Sequence, residues 1–202
     1  SAASSAQTTP ATNRPGILRA TTGTTATGRT AALTGATAIA LGGGAIAFEC
    51  GVNVTTLSTS AERFQLLIGL FDTNTAANQV DGCYFLYDEG GVSTGSTAAA
   101  YWQTVTASNS ARTFNTSLTQ TTVSTGSWVR LRIEVNAAGT SVAFYINGTL
   151  VATHTANIPT GTSRVLGFGY LLISKCLLLS NLILSLLRLL SHCYFCLNTM
   201  YY

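Results

Sequence analysis

The stretch 126-GSWVRLRIEVNAAGTSVAFYINGTLVATHTANIPTG-161 decides the fold. Over residues 128–136, Val129, Leu131, Ile133 and Val135 fall on one face, and Trp128, Arg130, Arg132 and Glu134 on the other. That period of two marks a half-buried strand. Asn136-Ala137-Ala138-Gly139 supplies turn chemistry. From Ser141 the alternation resumes, with Val142, Phe144 and Ile146 facing one way and Ala143 and Tyr145 the other. Asn147-Gly148 then predicts a two-residue type I′ turn, in which both central residues take positive φ, with 149–155 as the returning strand. The product is a three-stranded antiparallel meander with one face seeking a core.

Outward from the meander, similar segments recur at the spacing of a sandwich or barrel. After the turn Gly42-Gly43-Gly44, Ile46, Phe48, Cys50, Val52 and Val54 alternate with Ala45, Ala47, Glu49, Gly51 and Asn53, which predicts a central strand. Residues 63–71 are mostly apolar, as in a strand covered on both faces, and 82–87 form an aromatic strand. Shorter strands are expected over 14–19, 36–41, 100–107, 112–114 and 118–123, with loops at 58–62, 72–81 and 90–97. Residues 1–13 hold too few large apolar groups to repay ordering by themselves and read as a flexible arm that orders against a partner. No repeat period is present, which argues against a solenoid or propeller.

Only 8% of the 202 residues are charged, against about a quarter in ordinary globular domains. Thr, Ser, Ala and Gly dominate until the last strands, the make-up of a neutral, strand-rich extracellular or virion protein. The net charge of +3 comes from scattered arginines and Lys175. No basic run interleaves with aromatics, which argues against nucleic acid as a partner. The cysteines number five, and Cys50 and Cys83 sit inside apolar strand patterns. Free buried thiols are the expected state there, a Cys50–Cys83 bridge the alternative. The chain opens on Ser1 without a charged and apolar leader, which reads as a processed or trimmed end.

Residues 14–175 resemble the concanavalin A-like lectin/glucanase jelly-roll modules of tailed-bacteriophage tail fibres and other virion appendages. The likeness is carried in order by NRPGILRATTGTTATGR, GAIAFECGV, DGCYFLYD, the region of Trp102, GSWVRLRIEVNAAGTSVAFYINGTLVATHTANIP and RVLGFGYLLISK. It implies an all-β, antiparallel two-sheet jelly-roll sandwich on the virion. The role it implies is structural and binding, presenting loops to host-surface glycans without catalysis. The implied partners are other copies of the chain, a trimer foremost, and other virion proteins. A carbohydrate-active hydrolase of the same fold, or a cell-surface or filament-forming structural protein, are the alternatives.

A glycosidase needs two carboxylates about 5 to 10 Å apart across a cleft. The acids Glu49, Glu62, Asp72, Asp81, Asp88, Glu89 and Glu134 are dispersed, and no Glu-x-Asp-x-Glu strand occurs. No His stands in a nucleophile motif, and His154 reads as a surface or rim residue. Sugar binding needs exposed rings with amide or carboxylate partners. Tyr101 and Trp102, beside the Gly/Ser loop and with Gln103 and Asn109 nearby, are the sugar-binding candidates. Trp128, Tyr84, Phe85 and Tyr87 read as packing residues. Asp72, Asn74, Asp81 and Asp88 are candidate oxygen ligands for calcium, against the plainer reading of Asp and Asn as turn formers.

After Lys175 the chain departs from the resemblance, which implies a last alternating strand with acidic residues. Residues 176–202 instead hold ten leucines, one charge at Arg188 and no glycine. Asn181, Ser185, Arg188 and His192 step along one stripe of a helix, which suits an amphipathic packing helix. Further strands, or an out-of-frame ending, are the other readings. A membrane span is disfavoured, because it needs about twenty apolar residues and Arg188 and His192 interrupt the run. With the last strand absent, the meander's edge is expected to lie open to association.

Overall fold

The computed structural model describes residues 4–7, 17–22, 28–35, 39–59, 63–88, 100–115, 122–174, 181–185 and 193–196. They form strands and connecting loops, with no helix among them. In chain order the strands are β1 (Ser4–Gln7), β2 (Ile17–Thr21), β3 (Arg29–Leu33), β4 (Ile39–Ala40), β5 (Ile46–Val54), β6 (Phe64–Phe71), β7 (Gly82–Tyr87) and β8 (Gln103–Ser108). They continue with β9 (Ala111–Asn115), β10 (Trp128–Val135), β11 (Val142–Ile146), β12 (Thr149–His154), β13 (Val165–Ser174), β14 (Asn181–Ser185) and β15 (Cys193–Cys196). One sheet has eight strands in the order β1-β2-β14-β15-β5-β10-β11-β12. The other runs β3-β13-β6-β7-β8-β9, with β4 also on β13. This is the two-sheet jelly-roll sandwich that the family resemblance implies, and one of the two architectures, sandwich or barrel, that the strand spacing allows.

The meander forms as its sequence dictates. In β10, Leu131, Ile133 and Val135 pair with Ile146, Phe144 and Val142 of β11, and on the other side with Cys50, Phe48 and Ile46 of β5. Asn147 and Gly148 take φ of 52° and 86°, the two positive values of a type I′ turn. The Asn147 side chain holds the turn by accepting the main-chain N–H of Arg130 at 2.9 Å.

Between the sheets the inward side chains make one core. Phe48, Cys50, Val52, Leu131, Ile133 and Phe144 of the first sheet meet Leu66, Ile68, Leu70, Cys83, Phe85 and Tyr170 of the second. The Phe85 ring stands edge-on to Phe144 across the sandwich, centroids 5.3 Å apart. Such edge-to-face pairs add about 1 kcal/mol beyond area burial. At Gly69, φ +147°, a Cβ would stand 2.6 Å from the Cys83 carbonyl and 2.8 Å from Ile133, so the position admits only glycine.

The outer face of the second sheet is covered. Leu67, Phe71, Tyr84, Leu86, Val105, Ala107 and Leu171 form a second apolar cluster there. The loop 72–81 folds back over this face as a compact strap. Its ends meet where the Asp72 N–H donates to the Asp81 carbonyl at 3.1 Å. Side chains on three strands hold its carbonyls: Arg29 donates to Thr75 at 2.7 Å, Gln65 to Ala77 at 2.9 Å and Arg112 to Gln79 at 3.0 Å.

The tail departs from the helical expectation. Its described residues are strands: β14 pairs antiparallel with β2 and touches β5, and β15 runs parallel to β5. The sheet order explains why. Strands β2 and β5 are not adjacent, and β14 and β15 between them supply partners to the backbone groups that face each other across that gap. The last strands therefore fill the interior of the eight-stranded sheet, and the meander's own far strand, β12, ends that sheet. Of the arm, Ser4–Gln7 pairs with Leu18–Thr21 of its own chain; its other residues lie outside those described, as do most of 118–123 and the loop 90–97. No helix among the described residues is long and apolar enough to cross a membrane.

Candidate functional site

The side chains singled out for sugar binding do not converge. Trp102 is 1% exposed, with its ring edge-on to Phe85 and tilted against Tyr87, so it offers no face to a ligand. Gln103 is buried on the strap-covered side, beside Leu86. Tyr101 is half-buried ahead of β8, in a bridge to Thr122. Asn109 is exposed in the turn after β8 and gives its main-chain N–H to Asp81 at 2.8 Å. Strand β8 therefore stands between Tyr101 and Asn109, roughly 20 Å at a strand's rise.

The acids of the calcium reading are likewise spread. Asp72 and Asp81 meet at the strap's base, Asn74 is exposed within it, and Asp88 lies buried at the far end of β7. Arg164 donates to Asp81 at 2.5 Å, placing a guanidinium where a cation would sit. Burial raises the Asp72 carboxyl above its usual range, against main-chain donors that pull it down. Among the described residues no three His, Cys, Asp or Glu side chains gather as a metal site.

His154 is not at the surface. It is 4% exposed, with Nε2 at 2.9 Å from the Thr104 hydroxyl and Nδ1 at 3.0 Å from that of Thr106. Burial lowers its pKa to about 4, so the ring is neutral and joins β12 to β8 across the sandwich.

The outer side of the eight-stranded sheet is open toward β10 and β11, whereas on β5 the outward Glu49 and Asn53 are buried. Here β10 turns Arg130, Arg132 and Glu134 outward, and its register aligns Arg132 with Glu49 on β5 and with Tyr145 on β11. Arg132 donates to Glu49 at 3.2 Å and, through Nε and Nη2, to one oxygen of Glu134. Arg130 approaches the other Glu49 oxygen at 3.7 Å. The Arg132 hydrogen bond, aided by the Tyr145 hydroxyl, holds the Glu134 carboxyl below its usual range. The shared bond raises Tyr145. Next to this array is a depression of about 460 Å³ whose lining includes Ala45, Ala47, Ala143, Glu134, Asn136 and Ser141. Its size falls within the roughly 300 to 1,000 Å³ of small-molecule pockets.

Sequence reasoning sees Arg130, Arg132 and Glu134 alternate outward but not their partners. Glu49 lies 83 residues from Arg132, and only the long-range β5–β10 register joins them.

The fold is that of concanavalin A-like lectins and related enzymes. The Emp47p carbohydrate recognition domain superposes with a TM-score of 0.53 at 8% identity, covering 89% of this chain and 84% of that one. The potassium-bound Emp46p carbohydrate recognition domain gives 0.50 at 10%, covering 81% and 79%. The alginate lyase AlyC3 gives 0.51 at 8%, covering 82% and 71%. At such identities the likeness is one of fold. Residues 13–176 match the family described as SO2946-like, C-terminal domain, and the chain belongs to that family. A comparison with curated proteins finds no match.

Proposed function

We propose that this domain is a non-catalytic, lectin-like module that binds carbohydrate on the open face of its eight-stranded sheet, as part of a bacteriophage tail fibre or other virion appendage directed at host-surface glycans. The observation that carries the binding role is the array Glu49–Arg132–Glu134–Tyr145 beside the small-residue depression. Sugars are held by fixed carboxylate, guanidinium and hydroxyl groups next to low apolar ground, and strands fix such groups better than loops. Two of the structures sharing the fold are carbohydrate recognition domains. The appendage role is supported by the weakly charged, Thr/Ser/Gly-rich composition and the resemblance of residues 14–175 to phage modules.

The absence of catalysis rests on the same array. General-acid cleavage of a glycosidic bond needs a carboxyl group kept protonated, whereas Arg132 holds Glu134 in the ionised form. Glu49 faces two guanidinium groups. Against a calcium ion at Asp81 stands Arg164, which already brings a positive charge to that carboxylate.

The test is a glycan array probed with the full chain, followed by assays for hydrolysis and elimination on each bound glycan. Binding without cleavage, lost in Arg132→Ala, is the expected result. Cleavage would move the domain into the hydrolase or lyase class. Binding undiminished in Arg132→Ala would remove this face from the reading. Light scattering behind size exclusion should show a homo-oligomer, a trimer fitting an appendage best; a monomer at every concentration would count against that role.

A further inference from the structure

Resting on the carbohydrate reading, we infer that the depression on the open sheet face selects neutral pyranoses and discriminates against acidic sugars such as uronates.

The argument begins with what surrounds Glu134. Its cross-strand neighbours are Ala47 on β5 and Ala143 on β11. The carboxylate therefore stands above two methyl groups with no long side chain directly opposite it. Arg132 and Tyr145 reach it from the adjacent row of the sheet, and the side toward Asn136 and Ser141 is where the depression lies. A carboxylate has about four lone-pair directions. Arg132 uses two on Oε1 and the Tyr145 hydroxyl supplies one more donor, so acceptor capacity remains for a sugar hydroxyl. The alanine floor suits the C–H face of a pyranose, which the hydrophobic effect favours burying and which makes no demand for hydrogen bonds.

Charge decides the class. None of the residues lining the depression is cationic, and Glu134 is ionised throughout the neutral range. The nearby guanidinium of Arg132 is already shared between Glu49 and Glu134, and that of Arg130 lies against Glu49. Two arginines and two glutamates leave the array with no net positive charge. The carboxylate of a uronate placed on the alanine floor would meet Glu134 without a counter-ion, and like charges so placed repel. A hydroxyl or hydroxymethyl group at the same position would instead donate to it.

Titration calorimetry with matched oligosaccharide pairs, glucose against glucuronate and galactose against galacturonate, tests this on the full chain. The neutral member of a bound pair should bind at least tenfold more tightly. The deficit of the acidic member should shrink as salt is raised, because screening weakens the repulsion. In Glu134→Gln the neutral ligand should weaken while the acidic one improves, a reversal that simple loss of structure would not produce. Tighter binding of the acidic member, or an unchanged preference in Glu134→Gln, would overturn the inference and leave the carbohydrate reading standing. Failure of any glycan to bind, on the array and in solution, would remove that reading and this inference with it.

Discussion

The Thr106 hydroxyl donates its single proton to the Ala156 carbonyl at 2.8 Å, so it must accept, at 3.0 Å, from Nδ1 of His154. The proton of the neutral ring is thereby assigned to Nδ1, and Nε2 accepts from the Thr104 hydroxyl. Both ring nitrogens are satisfied, and β12 is fastened to β8 through the core.

The pH dependence of stability follows from this assignment. The folded ring protonates near pH 4 and the unfolded one near 6.5. The unfolded state therefore binds more protons within that window, and stability falls as pH drops through it. The contribution of the neutral ring is complete above pH 6.5 and declines toward pH 4, by about 3 kcal/mol. Urea denaturation at pH 7, 5.5 and 4 should show the decline, and His154→Asn should flatten it. Nitrogen-15 NMR of the ring should show the Nδ1-protonated tautomer.

Trp102 is a packing residue, and its substitution should behave accordingly. Trp102→Ala is expected to cost about 3 to 5 kcal/mol of stability. With Trp128→Phe leaving Trp102 as the single indole, fluorescence should be poorly quenched by acrylamide, since Trp102 is 1% exposed. Strong quenching, or unchanged stability in Trp102→Ala, would return the residue to the list of ligand platforms.

Cys50 and Cys83 are thiols outside any disulfide, fully buried and one in each sheet, and burial pushes the Cys83 thiol far above its ordinary range. In a variant with Cys176, Cys193 and Cys196 replaced by serine, a thiol reagent at pH 8 should find no reactive group in the native chain. It should find both once the chain is denatured. A count of zero under both conditions would mean that the two are bridged.

Local chemistry made most of the strands legible. Asn147-Gly148 allows one turn, and the alternation from Val129 to Val135 allows one orientation of β10. Trp102 misleads because a neighbouring Gly/Ser loop suggests solvent, whereas its place just ahead of β8 turns it inward to Phe85. His154 misleads because nothing local announces Thr104 and Thr106, which come from a strand about fifty residues earlier. The Glu49–Arg132–Glu134 array was hidden for the same reason: its carboxylates look dispersed until β5 is laid beside β10. The tail misleads in a different way. The spacing of its polar residues fits a helix, yet its described residues pair as strands with the distant β2 and β5, which nothing local announces.

The strap 72–81 supplies the last prediction, because the contrast between the two sheet faces depends on it. The open face carries the charged array; the other is sealed by ten residues tied down through carbonyl oxygens by Arg29 on β3, Gln65 on β6 and Arg112 on β9. Within the strap, Gln79 keeps the loop compact by accepting from the Thr73 N–H and donating to the Ala76 carbonyl. Replacing the two arginines together, Arg29→Ala with Arg112→Ala, removes ties near opposite edges of the sheet while leaving Gln65 in place. Hydrogen exchange should then quicken across 73–80, and a hydrophobic dye should bind as Leu67, Tyr84 and Leu86 become accessible. The expected loss of global stability is about 1 to 2 kcal/mol, because one tie is exposed and the other only partly buried. Glycan binding on the far side of the sandwich should be unchanged. Loss of binding in this variant would instead place the ligand under the strap, and unaltered exchange would show that Gln79 and the buried Gln65 hold the loop without the arginines.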